Sequence, residues 1–283
     1  MTRIEQILAK VDNLPAAPGV AQQVLALVGD PDFSFRQLME TISVDTGITA
    51  NILRVCNSPY YGLRRKVSSL DQALTYLGSN KVLDIVLSGE MVGLYRRSVN
   101  GYELERGELW RHSMACALLS QRLGQKLGFG QIPTLFTAAL LHDVGKLILS
   151  EYVQEKLQEI ERLVKDQGKS FVEAERLVLG VDHAVLGEMA ARKWNFPEII
   201  LQVIAFHHEA EKAVKHRKEV CLVSLANLLV ISLGVGGGAA GLAAPVPPGL
   251  LEEVGVKARD IPELTLELKD IFDQADDLLS MAR

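Results

Sequence analysis

The chain is poor in the residues that mark secreted, fibrous or nucleic-acid-binding proteins. Among 283 residues there are three cysteines, Cys56, Cys116 and Cys221. They lie far apart, form no CxxC pair, and each sits beside an apolar residue. A small, odd, dispersed set excludes a disulfide framework and predicts reduced, buried thiols in a cytoplasmic protein. Basic charge is also scarce. Thirty Lys and Arg against 35 Asp and Glu give a formal net charge of −5. The first 100 residues hold 10 basic and 9 acidic side chains and the remainder 20 and 26, so neither part is a polybasic module. Nucleic acid is therefore not an expected partner.

Long hydrophobic runs are missing too. The start, MTRIEQILAKVDNLP, has neither the continuous apolar core nor the small-residue cleavage site of a signal peptide. Residues 220–251 carry no charge, but their strongly apolar part, 220–233, is only 14 residues long. A bilayer span needs about 20. The run then passes into GVGGGAAGLAAPVPPG, a loop composition. A buried core helix containing Asn227 is expected here, with no membrane partner.

Sustained period-2 alternation is absent, and the Asn-Gly dipeptide occurs only at Asn100-Gly101. What is present is helical patterning, so the expected fold class is all-α. Helices are expected at 20–28 after Pro18-Gly19, from a Ser34 cap to about Ile42, and from Asp45 through Ile48, Ile52 and Val55. Ser69 and Gln72 form a capping-box pattern for a helix ended by Gly78, and Ser79 opens another to about 97. SVNGY (98–102) is the expected boundary between two packed lobes, 1–97 and 98–283. Further helices are expected at 104–127, 132–150, 151–167, 170–179, 183–194, 197–211, 219–233 and 262–281.

The chemistry lies in the histidines. All six fall after residue 100, and five interrupt apolar runs: His112, His142, His183, His207 and His208. In the 18 residues of IPTLFTAALLHDVGKLIL the only charges are Asp143 and Lys146. An ionised carboxylate in an apolar segment is costly unless paired or metal-bound. An Asp143–Lys146 ion pair at i, i+3 would account for this doublet but not for the other histidines. A divalent ion accounts for them together, because imidazole and carboxylate are its natural ligands. Glu108 shares a helix face with His112 at i, i+4. His183 follows an expected cap at Asp182, and Asn227 is a polar interruption in the last apolar helix.

These residues resemble the HD superfamily of metal-dependent phosphohydrolases. The whole chain is similar to HDOD domain proteins. LPAAPGVAQQVLALVGDP (14–31), ISVDTGITANILRVCNSPYYG (42–62) and SSLDQALTYLG (68–78) resemble that family's N-terminal part, and LWRHSMACA, LLHDVGKLIL, DHAVLGEMAARKWNFP and HHEA its HD part. The resemblance implies an all-α fold, a place in bacterial signal transduction, and a regulatory or scaffolding role in the many members that have lost their ligands. Here the ligands remain, except that Asn227, in VSLANLL, stands where the superfamily has its last aspartate. The resemblance further implies one or two divalent ions (Fe, Mn, Ni or Zn) bridged by Asp143. His112, His142 and Asn227 would hold one, and His183, His207 and His208 the other. In an active enzyme Asp143 and Lys146 would serve catalysis, with Lys146 near a substrate phosphate. HHE is followed by AEKAVKHRKEV, without the GYP loop of the cyclic di-GMP-cleaving subfamily.

The expected function is a signalling module that keeps a metal site and acts on a protein partner or a nucleotide ligand. The alternative is a working phosphohydrolase on a nucleotide or phosphodiester. A remote third is DNA binding through a helix-turn-helix rhythm at 72–86, whose second segment offers only Lys81 and Asp84 to bases. The basic groups Arg64, Arg65, Lys66, Arg96 and Arg97 read as solvated faces, and Tyr60-Tyr61 as packing between lobes.

Overall fold

The structure is a computed structural model and describes residues 3–12, 23, 24, 27, 34–43, 46–57, 67–95, 98–130, 132–238 and 249–281. Most of the expected helix at 20–28, Asp45, the Tyr60-Tyr61 pair, the basic groups at 64–66 and 96–97, and residues 239–248 of the glycine- and proline-rich segment lie outside the described residues. Among the described residues the fold is all-α, with no strand and one isolated antiparallel bridge between Val99 and Leu104.

The first helices are α1 (Arg3–Asp12), α2 (Phe35–Ser43), α3 (Thr46–Cys56) and α4 (Leu70–Tyr95). Two of them start on side-chain caps. Gln37 N donates to Ser34 Oγ at 3.4 Å, and Ser34 N to Gln37 Oε1 at 3.1 Å. Gln72 N donates to Ser69 Oγ at 3.2 Å, and the Gln72 side chain accepts from Ser68 N at 2.8 Å. Gly78 (φ 74°, ψ 169°) leaves helical geometry and kinks α4 where the sequence marks a break. Val82, Leu83, Asp84, Ile85 and Val86 beyond the kink are buried, and Lys81 Nζ donates to Gln121 Oε1 at 3.1 Å. Among the described residues 81–86, only Lys81 is not buried, which does not favour the helix-turn-helix alternative.

The remaining helices are α5 (Glu108–Lys126), α6 (Ile132–Leu141), α7 (Gly145–Gln167), α8 (Phe171–Leu179), α9 (His183–Lys193), α10 (Glu198–Phe206), α11 (Arg217–Ser232), α12 (Leu250–Val254) and α13 (Ile261–Met281). The central one is α5, which packs on α6, α11 and α13 and is buried around most of its circumference. Around it, α7 packs on α8 and α9, and α10 on α6, α9 and α11. Buried side chains from Ile7 to Ala275 join in one apolar cluster. No described helix is long and apolar enough to cross a membrane.

The break expected between 150 and 151 is absent, because α7 runs through it, and two further helix limits differ in ways that shape the site. The sequence predicts one helix over 132–150, but the chain turns at 142–144, where Val144 N donates to Leu141 O at 3.0 Å and Lys146 N to Asp143 O at 3.0 Å. Apolar residues on both sides hide this turn, because α6 and α7 are each buried. Gly145 allows a close approach just after the turn: a Cβ there would lie 1.8 Å from the His183 carbonyl oxygen, so the start of α7 rests directly on the start of α9. The second difference is the end of α10 at Phe206, which puts His207 and His208 in a turn rather than within a helix reaching 211.

Candidate metal centre

The polar residues of the site therefore come from helix ends. His142 and Asp143 follow α6, His183 opens α9, and His207 and His208 follow α10. His112 and Asn227 instead lie inside α5 and α11. Neighbouring side chains at a helix end are freed from the 100° stagger of a continuous helix and can turn toward one point. Asp182 fixes the entry to α9, its side chain accepting from Val185 N at 2.8 Å.

Asp143 is the centre of the cluster and is fully buried. Its Oδ2 accepts from Lys146 Nζ at 2.7 Å and faces His142 Nε2 at 3.4 Å and His112 Nε2 at 3.5 Å. Its Oδ1 faces His183 Nε2 at 3.4 Å and His207 Nε2 at 3.5 Å. His208 Nε2 lies 3.1 Å from His183 Nε2.

The far sides of the rings fix their protons. His112 Nδ1 is 3.0 Å from Val235 O, His142 Nδ1 2.7 Å from Ala139 O, and His207 Nδ1 2.9 Å from Ile204 O. A carbonyl oxygen can only accept, so each Nδ1 carries a proton and donates it outward. His183 Nδ1 donates to Glu175 Oε2 at 2.7 Å, and the same oxygen accepts from His183 N at 3.1 Å. In their neutral forms, four rings thus aim Nε2 lone pairs at one buried carboxylate. Lone pairs and an anion repel; a cation among them reverses the sign of every one of these contacts.

Electrostatics and hydrogen bonding fit a divalent ion. Burial would push the Asp143 carboxyl up, but the Lys146 ammonium beside it holds it well below the usual carboxylate range. Burial lowers His112 to about 3 and His207 to about 4, and drives His208 well below its ordinary value, which keeps them neutral. Burial alone would also lower His183; the Glu175 carboxylate overcomes it and raises that imidazole instead. Among the described residues, Asp143 Oδ1, His207 Nε2 and Asn227 Oδ1 are buried polar atoms with no hydrogen-bond partner. Such an orphan costs about 1–3 kcal/mol unless an ion or water satisfies it. Two groups of ligand atoms, Asp143 with His183, His207 and His208, and His112 with Cys116 and His142, each lie within 4.8 Å of one another. An ionised carboxylate, neutral imidazoles and orphaned acceptors are the donor set of a divalent metal centre.

A sequence model of the HDOD domain matches residues 14–210. The chain belongs to the HDOD domain family. Its fold is shared with an HDOD domain protein of unknown function from Geobacter sulfurreducens, whose crystal structure superposes with a TM-score of 0.77 at 24% identity, over 98% of this chain and 97% of that one. A candidate phosphohydrolase from Shewanella amazonensis SB2B gives 0.73 at 22% identity, over 98% of both chains. A candidate signal transduction protein from Marinobacter aquaeolei VT8 gives 0.75 at 19% identity, over 95% of this chain and 60% of that one. In sequence, 79% of the chain matches an uncharacterized protein of Treponema pallidum (strain Nichols) at 22% identity and spans 43% of that protein's length.

Within this HDOD chain, His112, His142, Asp143, Lys146, His183, His207 and His208 come together as described. Asn227 lies in α11, which packs on α5 and carries Ser224, whose Oγ donates to His207 O at 2.6 Å. Glu108 does not join them. It is exposed at the first turn of α5, and its Oε2 accepts from Glu105 N at 2.7 Å. The expectation that it would be a ligand is corrected: a carboxylate there finds an unpaired backbone N–H nearer than the site.

Sequence reasoning did not place four participants at the site. Cys116 lies one turn beyond His112, with Sγ 3.7 Å from His112 Nε2. Glu175 is fully buried, and Tyr102 donates its hydroxyl to Glu175 Oε1 while its ring sits 5.5 Å from Lys146 Nζ. Gly236 (φ 68°) lets Val235 reach His112; a Cβ there would come 2.2 Å from His112 Cβ. The i, i+4 spacing on the other side of His112 was the available signal for Cys116. For Glu175 it was a carboxylate on the Phe171–Ala174–Val178 side of α8.

Proposed function

We propose that this HDOD chain is a signal-transduction module that retains a divalent metal centre and acts through a partner, a protein or a nucleotide ligand. One observation carries this: four Nε2 lone pairs converge on the buried Asp143 carboxylate. In this reading His112, His142 and Asn227 hold one ion and His183, His207 and His208 the other, with Asp143 between them, all within the segment 98–283 taken as the second lobe. The depth of the site favours a regulatory role. His112, His142, Asp143, Lys146 and His207 are each no more than 2% exposed. Lys146 is bound to Asp143, so it is not free to take a phosphate.

The near-complete ligand set favours a second reading, a phosphohydrolase on a nucleotide or phosphodiester. A bound divalent ion would supply Lewis acidity toward a phosphate oxygen and an acidified water. This chain's part would be to keep Asp143 ionised, to hold its rings with their Nδ1 protons outward, and to admit substrate past His208, which is half-buried. Asp143 and Lys146 would be the catalytic pair once Lys146 exchanged Asp143 for a phosphate.

The test is to purify the chain, measure bound Mn, Fe, Ni and Zn, and assay a generic phosphodiester with and without added Mn²⁺. Bound metal without turnover on any nucleotide tried is the expected result. Turnover lost in Asp143→Ala establishes the enzyme instead, and absence of any bound or bindable metal removes both readings.

A further inference from the structure

Resting on the metal centre just proposed, we infer that Cys116 is a thiolate ligand of the ion held by His112 and His142, making this half of the centre a sulfur-containing site for a soft or borderline ion such as Zn²⁺ or Co²⁺. The spacing comes from α5. His112 and Cys116 are one turn apart on the same face and both are fully buried. The Sγ atom, a His112 nitrogen and a His142 nitrogen lie within 4.8 Å of one another. Both rings are oriented by backbone carbonyls, so both Nε2 atoms, 3.3 Å apart, are lone-pair donors facing the same small volume.

Charge supplies the second reason. An ion in this half meets two neutral imidazoles. The Asp143 oxygen on this side, Oδ2, already accepts from Lys146 at 2.7 Å, so its charge is largely offset. Asn227, on the neighbouring α11, brings an amide and no charge. The thiol of Cys116 is the remaining group at hand that can become an anion. Coordination breaks its S–H bond, forms an S–metal bond and releases H⁺ to solvent, so the ion gains a formal negative ligand. The other half differs: its ligands are three imidazoles and Asp143 Oδ1, with no sulfur, and so suit a harder ion. The two positions should therefore be chemically unequal.

Cobalt reports this directly. The full chain is stripped with a chelator and titrated with Co²⁺, and the near-ultraviolet thiolate-to-cobalt charge-transfer band is recorded. The band should appear in the unmutated chain, persist in Cys56→Ser and Cys221→Ser, and vanish in Cys116→Ser, with affinity for that ion at least tenfold weaker. Zinc X-ray absorption on the unmutated chain gives an independent readout that needs no variant. It should show a sulfur neighbour at about 2.3 Å beside the nitrogens. Bound cobalt or zinc with no sulfur signal overturns the role of Cys116 and leaves the metal centre standing, as does a band that survives Cys116→Ser. A chain that binds neither ion overturns both.

Discussion

His112 and His142 lean on backbone carbonyls, those of Val235 and Ala139, whereas His183 leans on the carboxylate of Glu175. These three rings are equally buried, and the brace makes the difference between them. A carbonyl orients a ring and fixes its tautomer without adding charge, and burial then takes His112 down to about 3. A carboxylate does the same and makes the ring more basic, and His183 is raised. Behind Glu175 stands the Tyr102 hydroxyl, and the next residue, Arg176, ties Asp182 to Glu209, the neighbours of His183 and His208. One short helix, α8, thus steadies the second half without contributing a ligand. The first half relies on α5, on the end of α6 and on the chain just after α11.

The largest effect should come from the residue shared by both halves. Asp143→Ala leaves Lys146 buried without its partner and should cost about 3–5 kcal/mol in urea unfolding, with metal lost from both positions. Retention of one ion would show that the halves are independent. Acid should separate them next. His112 and His207 have folded values near 3 and 4, below the roughly 6.5 of a free imidazole, and His208 is shifted the same way. The unfolded chain then binds more protons, so the chelated protein should lose stability as pH falls from about 6.5 through 4, by up to about 1.4 kcal/mol per pH unit for each ring. His183 works in the opposite sense: its raised value contributes stability below about 6.5 that is lost as pH rises through the folded value. Replacing His183 with Gln should therefore abolish its loss of stability above about pH 6.5 and leave the slope between 6.5 and 4 unchanged, read as urea midpoints, and a loss above 6.5 that survives the substitution would contradict the contrast between the braces.

Gly145→Ala should follow, since its Cβ would meet the His183 carbonyl. Overpacking of this kind costs about 1–3 kcal/mol, seen as a lower urea midpoint. Glu175→Gln keeps an acceptor for His183 Nδ1 but removes its charge. It should weaken the second ion about 10–100-fold in a chelator competition and leave the first unchanged. Equal weakening of both would erase the distinction between the halves. Glu108→Gln should leave metal content unchanged, because that side chain serves the start of α5.

Much of this was legible in the sequence because polar residues stand out in apolar runs. His142, Asp143, His183, His207 and His208 each interrupt hydrophobic patterning, and that interruption marks them. The Ser34 and Ser69 caps and the break at Gly78 were legible for a local reason: their chemistry is confined to a few residues. The turn at 142–144 was not, since α6 and α7 are both apolar where they meet and periodicity cannot register a change of direction. Glu108 misled because equal helical spacing runs both ways from His112, and only tertiary packing decides that Cys116 faces inward while Glu108 turns back to a backbone N–H. Glu175 sits beside the other charges of α8, and its place on the Phe171–Ala174–Val178 side was the one mark that set it apart.

His208 is only half-buried, while His112, His142, His183 and His207 are buried. If an ion seated behind it leaves past that imidazole and the Arg176–Glu209 pair beside it, both must move aside. Residence time would then be governed by how often this doorway opens, not by the strength of the bonds inside. A centre of that kind stays loaded when free metal in the surroundings fluctuates, and is better suited to holding a shape than to gauging concentration.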